Sequence, residues 1–232
     1  MKNTTHALIC FPLLFLPIGI TFFLNTILFK SNHWQVFYLC YTFACLSTLV
    51  VSILILKKWN FSIKDIGVNK FEWSHVGWGA LFFCIACIWC TGIALILKYG
   101  FGLSKDWLLA ISFDRPYHPL IMLLSMVIVG PVTEEVLFRG FFLTFTKDKI
   151  KIWGAGILSS ILFGLYYYYL TGLAGALLIL FWAPLPIILF TWKKSLYPSI
   201  ALHMINNLFP YVVLKFFVDL PIVHNLTNIG IL

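Results

Sequence analysis

Apolar residues in this chain come in long uninterrupted blocks rather than the short alternations of a soluble domain, and polar positions gather in the gaps between them. Seven blocks stand out, at 7–29, 36–56, 76–97, 119–145, 152–170, 173–192 and 196–217. A helix needs roughly 20 apolar residues to cross about 30 Å of hydrocarbon. Each block meets or approaches that length. The pattern therefore predicts an all-α, polytopic transmembrane helical bundle of about seven spans, seven to eight in all, with short blocks such as the fifth as candidates for re-entrant helices. The gaps are too short to fold on their own, which makes residues 1–232 a single integral membrane domain.

Composition agrees. Hydrophobic residues make up 61% of the chain and charged ones 10%, a balance that lipid must solvate. The net charge of +8 raises the question of nucleic acid, but the basic residues are scattered through short loops instead of lining one face, so no nucleic-acid partner is expected. Their distribution reads better as orientation. With a cytoplasmic N-terminus, Lys2, Lys57, Lys58, Lys64, Lys70, Lys147, Lys149, Lys151, Lys193 and Lys194 fall inside, and Lys30, Lys98, Lys105, Arg115 and Lys215 outside; ten against five favours that topology. Lys2 before an apolar run resembles a signal peptide, yet the run is too long for an h-region and ends in no A-x-A-like site, so it is read as a retained span. Trp59, Trp73, Trp153, Trp192 and the run Tyr166–Tyr169 sit near block ends, where an interfacial aromatic belt is expected. The segment 99–117 mixes Trp107, Leu108 and Phe113 with a few charges and is expected to lie along the interface. Cys84, Cys87 and Cys90 recur inside an apolar block, where cysteine acts as a small hydrophobe, and no fourth ligand accompanies them.

Of eight acidic residues, six lie in loops or at block ends. Glu134 and Glu135 do not. They lie about ten residues inside the fourth block's cytoplasmic end, roughly 15 Å at the helical rise, where an ionised carboxylate is costly unless compensated. Glu135 and Arg139 are four apart and share a helix face, with the acid on the favoured N-terminal side. Glu134 is rotated about 100° from Glu135, so one guanidinium does not easily serve both. One buried acid is left over, a candidate general base. In the last block His203 and Asn207, again four apart, project from one face and supply donors suited to an oxyanion. Either alone is ordinary interhelical hydrogen bonding.

The stretch Thr133-Glu134-Glu135-Val136-Leu137-Phe138-Arg139-Gly140 resembles the EExxxR motif of the CAAX protease and bacteriocin-processing family of membrane-embedded endopeptidases. Downstream, the stretch around Phe163 is similar to that family's FxxxH motif, and His203 to Asn207 to its HxxxN motif, in the same order. The resembling region covers about 119–207, with a weaker echo at 63–68. The resemblance implies that the first glutamate and the FxxxH histidine activate a water while the HxxxN pair steadies the oxyanion. By position, Glu134 is then the base, His203 and Asn207 the oxyanion side, and Glu135, Arg139 and Phe163 the support. The FxxxH histidine position is held by Tyr167, and no histidine occurs between His118 and His203. A phenol with an ordinary pKa of about 10 can donate to water or a carboxylate but accepts a proton poorly at neutral pH. Loss of a general acid-base partner typically costs about 10²- to 10⁴-fold in rate.

The expected function is hydrolysis of a peptide bond by a glutamate-activated water, the peptide entering from the cytoplasmic side. The resemblance implies a lipidated C-terminal peptide as substrate or, among bacterial members, a leader-bearing or bacteriocin-like peptide. No cofactor is expected. Neither is a metal, since a zinc site would have to recruit Glu134 and His203 plus a weak amide. The expected partners are membrane lipid and the peptide substrate, the oligomeric state stays open, and short loops suit a bacterial plasma membrane. The competing reading is a non-catalytic relative acting as a membrane scaffold, regulator or bacteriocin immunity protein, with Tyr167 as its main support. A transporter using the acidic pair as a proton relay is weaker, because the other blocks carry few polar residues beyond Asn25.

Overall fold

A bilayer offers backbone amides no partner except one another, so the apolar blocks fold as helices. The computed structural model describes residues 2–30, 33–103 and 119–217. In it α1 spans Lys2–Phe22 and runs on through a π-helical segment, Phe23–Leu28. α2 spans Trp34–Lys58 and α3 Trp73–Phe101. α4 is assembled from four pieces in line: Pro119–Met122, a π segment Leu123–Val129, an α segment Gly130–Glu135 and a second π segment Val136–Phe142. It continues into α5, Leu143–Trp182, followed by α6, Pro184–Lys193, and α7, Tyr197–Phe217. The stretch expected along the interface, 99–117, falls largely outside the described residues.

Non-helical torsions at Ile150, Lys151 and Gly172 break α5, at the gaps that separate the fourth, fifth and sixth apolar blocks. Five helical stretches among the described residues are long and apolar enough to cross a membrane: His6–Leu28, Gln35–Lys58, Trp73–Phe101, Leu120–Tyr168 and Leu170–Lys193. The fourth has 49 residues, about 74 Å at the helical rise and more than twice the hydrocarbon thickness, and it contains the break at 150–151. α7, which carries His203, Asn206 and Asn207, is not among the five. His203 and Asn207 find protein partners, so the chain loses little by placing them there.

The core is built around α4. Leu137, Phe138 and Phe142 have no exposure and Phe141 1%. Phe138 meets Phe163 of α5 edge-on at 4.8 Å, and Phe142 meets Phe11 of α1 in the same way at 5.3 Å, both favourable aromatic geometries. α7 lies hard against α3. A Cβ on Gly79 would fall 2.6 Å from the Cβ of Ala201 and 2.8 Å from the backbone nitrogen of Leu202, so this glycine sets how closely the helix bearing His203 approaches. The start of α7 is tied down separately, where Leu196 donates its N–H to the Gly67 carbonyl at 2.9 Å and Asn69 Nδ2 bonds the Lys194 carbonyl at 2.7 Å. Trp73, Trp153 and Trp192 are exposed as an interfacial belt requires, and Lys193 Nζ sits 3.9 Å and 3.8 Å from the rings of Trp78 and Trp192. Cys84, Cys87 and Cys90 are free thiols on α3, beside the outward-facing Leu81, Ile85 and Ile88.

Candidate active site

α4 carries its ionisable side chains into the middle of the bundle, where α7 meets them. Glu134 is 1% exposed, Glu135 and Arg139 0%, and His203 3%. Arg139 Nη1 donates to Glu135 Oε1 at 3.1 Å, the i,i+4 pair expected from spacing, and Nη2 donates to the Ala183 carbonyl at 3.3 Å. The guanidinium also lies 4.6 Å from the ring centre of Phe163, a cation–π contact that helps hold a charge away from water. Glu135 Oε1 is shared, because His203 Nδ1 lies 2.9 Å from it. A carboxylate there accepts from Nδ1–H and so fixes the imidazole tautomer, turning Nε2 toward Glu134 Oε2 at 3.6 Å.

Glu134 has a different environment. Tyr41 of α2 donates to its Oε1 at 2.5 Å, and the Tyr167 hydroxyl lies 2.7 Å from Oε1 and 2.9 Å from Oε2. Tyr166 completes a phenol cluster, its oxygen 3.4 Å from that of Tyr41. Room for Tyr41 comes from Gly130, one turn before Glu134. A Cβ there would lie 3.1 Å from Tyr41 Cε1. The site therefore joins two acids with unlike partners, one ion-paired and one held by phenols, through a single imidazole. A proton placed anywhere between Glu134 Oε2 and His203 Nε2 brings Glu134, Glu135, Arg139 and His203 together to neutrality, which lowers the cost of burying them.

The structure brings Glu134, Glu135, Arg139, Phe163, Tyr167 and His203 into one cluster. Asn207 lies a turn beyond His203 and is engaged elsewhere, with its Nδ2 donating to the Met126 carbonyl at 2.9 Å. Local geometry accounts for this. In the π segment of α4, Gly130 N–H bonds the Ser125 carbonyl, and Pro131 has no N–H, so the Met126 carbonyl lacks a helical donor and Asn207 supplies one. Among the described residues no group of three His, Cys, Asp or Glu side chains is arranged to hold a metal ion.

Two participants escaped the reading of the sequence. Tyr41 is one of two tyrosines in the second block, with no motif or period to mark it. Tyr166 reads as part of a belt, yet the run splits: Tyr166 and Tyr167 turn toward Glu134, and Tyr168 faces outward. Beside the phenols lies a cavity of about 790 Å³ lined by residues of α1 and α2 together with Met126, Tyr166, Tyr167 and Leu170. Its lining includes the exposed Lys30 and His33, at the end of α2 opposite the lysine-rich end from which substrate entry is expected.

Fold and site together define a polytopic helical membrane protein with a buried glutamate pair, an arginine partner and a facing histidine. Residues 116–209 match the family described as Type II CAAX prenyl endopeptidase Rce1-like, and that stretch, similar to those proteins, holds every motif residue from Glu134 to Asn207. A Bacillus subtilis (strain 168) protein, YdiL, whose assignment as a membrane peptidase is itself provisional, is 29% identical over 125 residues, 53% of this chain. The alignment covers 50% of that relative, so the chain spans about half the length of the curated protein it matches. No solved structure matches. The membrane-length helices and this bacterial relative place the protein in a plasma membrane.

Proposed function

We propose that this protein is a membrane-embedded endopeptidase in which Glu134 activates a water against a peptide bond. The observation that carries the reading is the setting of Glu134: a buried carboxylate held by two phenols, facing an imidazole that a second acid orients. Glu134 takes a proton from water as the oxygen–carbon bond forms and returns it to the amine nitrogen as the carbon–nitrogen bond breaks. Tyr167 positions the carboxylate and the water. His203, with Nδ1 committed to Glu135, is placed to share the proton that a phenol does not accept, in the manner of an imidazole oriented by an acid. Glu135 and Arg139 hold that imidazole in register, and Asn207 donates to an oxyanion only by releasing the Met126 carbonyl.

Similarity to type II CAAX prenyl endopeptidases and to a membrane peptidase supports a peptide substrate, lipidated or leader-bearing. The topology we infer alongside it has seven crossings and a cytoplasmic N-terminus, with the lysine-rich end inside.

One observation favours a second reading, that of a non-catalytic scaffold or immunity-type relative. The Tyr167 hydroxyl bridges both oxygens of Glu134, where a reacting water must bind. Cleavage of prenylated and leader-bearing peptides by the purified protein in lipid nanodiscs separates the two. The endopeptidase reading expects turnover by wild type, a loss of about 10²-fold or more in Glu134→Gln, and equal or faster turnover in Tyr167→His. If only Tyr167→His turns over, the protein is a disabled relative. Turnover unchanged in Glu134→Gln ends the proposal.

A further inference from the structure

The cavity beside the phenols is lined by apolar side chains such as Ile18, Phe22 and Leu170, by the exposed Lys30, and by the inward-lying Tyr41 and Tyr167. Its volume of about 790 Å³ lies within the size range of ligand sites. The two phenol hydroxyls are those that bond Glu134, so only the thickness of a phenol separates the carboxylate from the open space.

The other approach is closed. Between Glu134 and the lysine-rich end, two turns of α4 are sealed by Leu137, Phe138, Phe141 and Phe142, none more than 1% exposed. At that end the 59–72 loop is pinned to the start of α7 by the Gly67 and Asn69 hydrogen bonds. Lys57, Lys58, Lys147, Lys149, Lys193 and Lys194 crowd there, which marks it as the cytoplasmic face.

We infer that substrate reaches Glu134 through this cavity from the non-cytoplasmic face of the membrane. The peptide is an extended, mainly apolar segment presented on that side, with any acidic group it carries lying beside Lys30. The chemistry rests on the endopeptidase reading, the side of entry on the topology inferred from the lysines, and the route on the placement of the cavity.

Gly19 provides the test. It lines the cavity, and a Cβ added to it meets no atom within 4 Å, so Gly19→Cys places a thiol in the open space without displacing protein. Gly92→Cys on α3 is an equally uncrowded control that faces lipid, and Lys149→Cys reports the lysine-rich end. The three are made in a variant lacking the native cysteines, checked for a monodisperse elution profile, and treated with a charged, membrane-impermeant methanethiosulfonate in intact cells and in inverted vesicles. The expected result is that Gly19→Cys is modified in intact cells, Lys149→Cys only in inverted vesicles, and Gly92→Cys in neither. Modification of Gly19→Cys only in inverted vesicles, or on neither side, overturns the route.

A second arm uses turnover. Once a cleaved peptide is in hand, modification of Gly19→Cys is expected to lower cleavage at least tenfold while the same treatment leaves Gly92→Cys unchanged. Full modification without loss sinks the route but leaves the endopeptidase intact. Indifference of turnover to Glu134→Gln sinks the endopeptidase and leaves the accessibility result standing.

Discussion

Tyr41 donates its phenolic hydrogen to Oε1 of Glu134 at 2.5 Å, a bond between two helices and across 93 positions of chain. With Tyr167 on the same oxygen, a carboxylate in the middle of an apolar bundle keeps the hydrogen bonds that water would otherwise supply.

Each phenol should therefore be separately measurable. A hydrogen bond to a charged group contributes about 1.5–3 kcal/mol, so Tyr41→Phe and Tyr167→Phe are each expected to lower unfolding stability by about that amount in detergent. In a double-mutant cycle with Glu134→Gln, each should show a coupling of at least about 1 kcal/mol. Additive losses would mean that the phenols do not act on this carboxylate.

Arg139 is fully buried and reaches both Glu135 and the Ala183 carbonyl. Removing one partner of a buried ion pair costs about 3–5 kcal/mol because the other charge is stranded. Arg139→Met is expected to lose that much, and Arg139→Met combined with Glu135→Gln to recover a large part of it. Arg139→Lys should not rescue, since an ammonium lacks the planar fork that spans two acceptors. Chemical unfolding of the three variants beside the unaltered protein decides.

The bond from Asn207 to Met126 exists because Pro131 removes a backbone donor. Asn207→Leu leaves that carbonyl unpaired at a cost of about 1–3 kcal/mol. Pro131→Ala restores an N–H in register with it and is expected to make Asn207→Leu less damaging. If the two losses simply add in thermal unfolding, the carbonyl has another partner.

Asp65 belongs to the loop that anchors α7. Its Oδ2 accepts from the backbone N–H and the hydroxyl of Ser62 at 2.6 and 2.8 Å, and these bonds, the backbone one foremost, hold the carboxyl below its ordinary range. A group depressed in this way stabilises the fold above its unfolded pKa of about 3.9 and loses the contribution as pH falls through the lower folded value. Hydrogen exchange at the 62–65 turn should therefore stay protected at neutral pH and open only below about pH 4. In Asp65→Asn the acid step should vanish, and an unchanged step would assign it to another group.

Much of this molecule is local and was legible in the chain itself. Block length against bilayer thickness specifies the helices, and the gaps at 150–151 and 172 break them where the torsions do. The i,i+4 spacing specifies the Glu135–Arg139 pair, because residues four apart on a helix are neighbours whatever surrounds them. Spacing says which residues share a face but not what that face meets. That Glu134 meets Tyr41, that His203 bridges both acids, that Asn207 serves a carbonyl freed by a proline, and that the open space lies at the Lys30 end all follow from how distant helices pack. Those contacts depend on close approaches at Gly79 and Gly130, which no periodicity records, and so only the tertiary structure decided them.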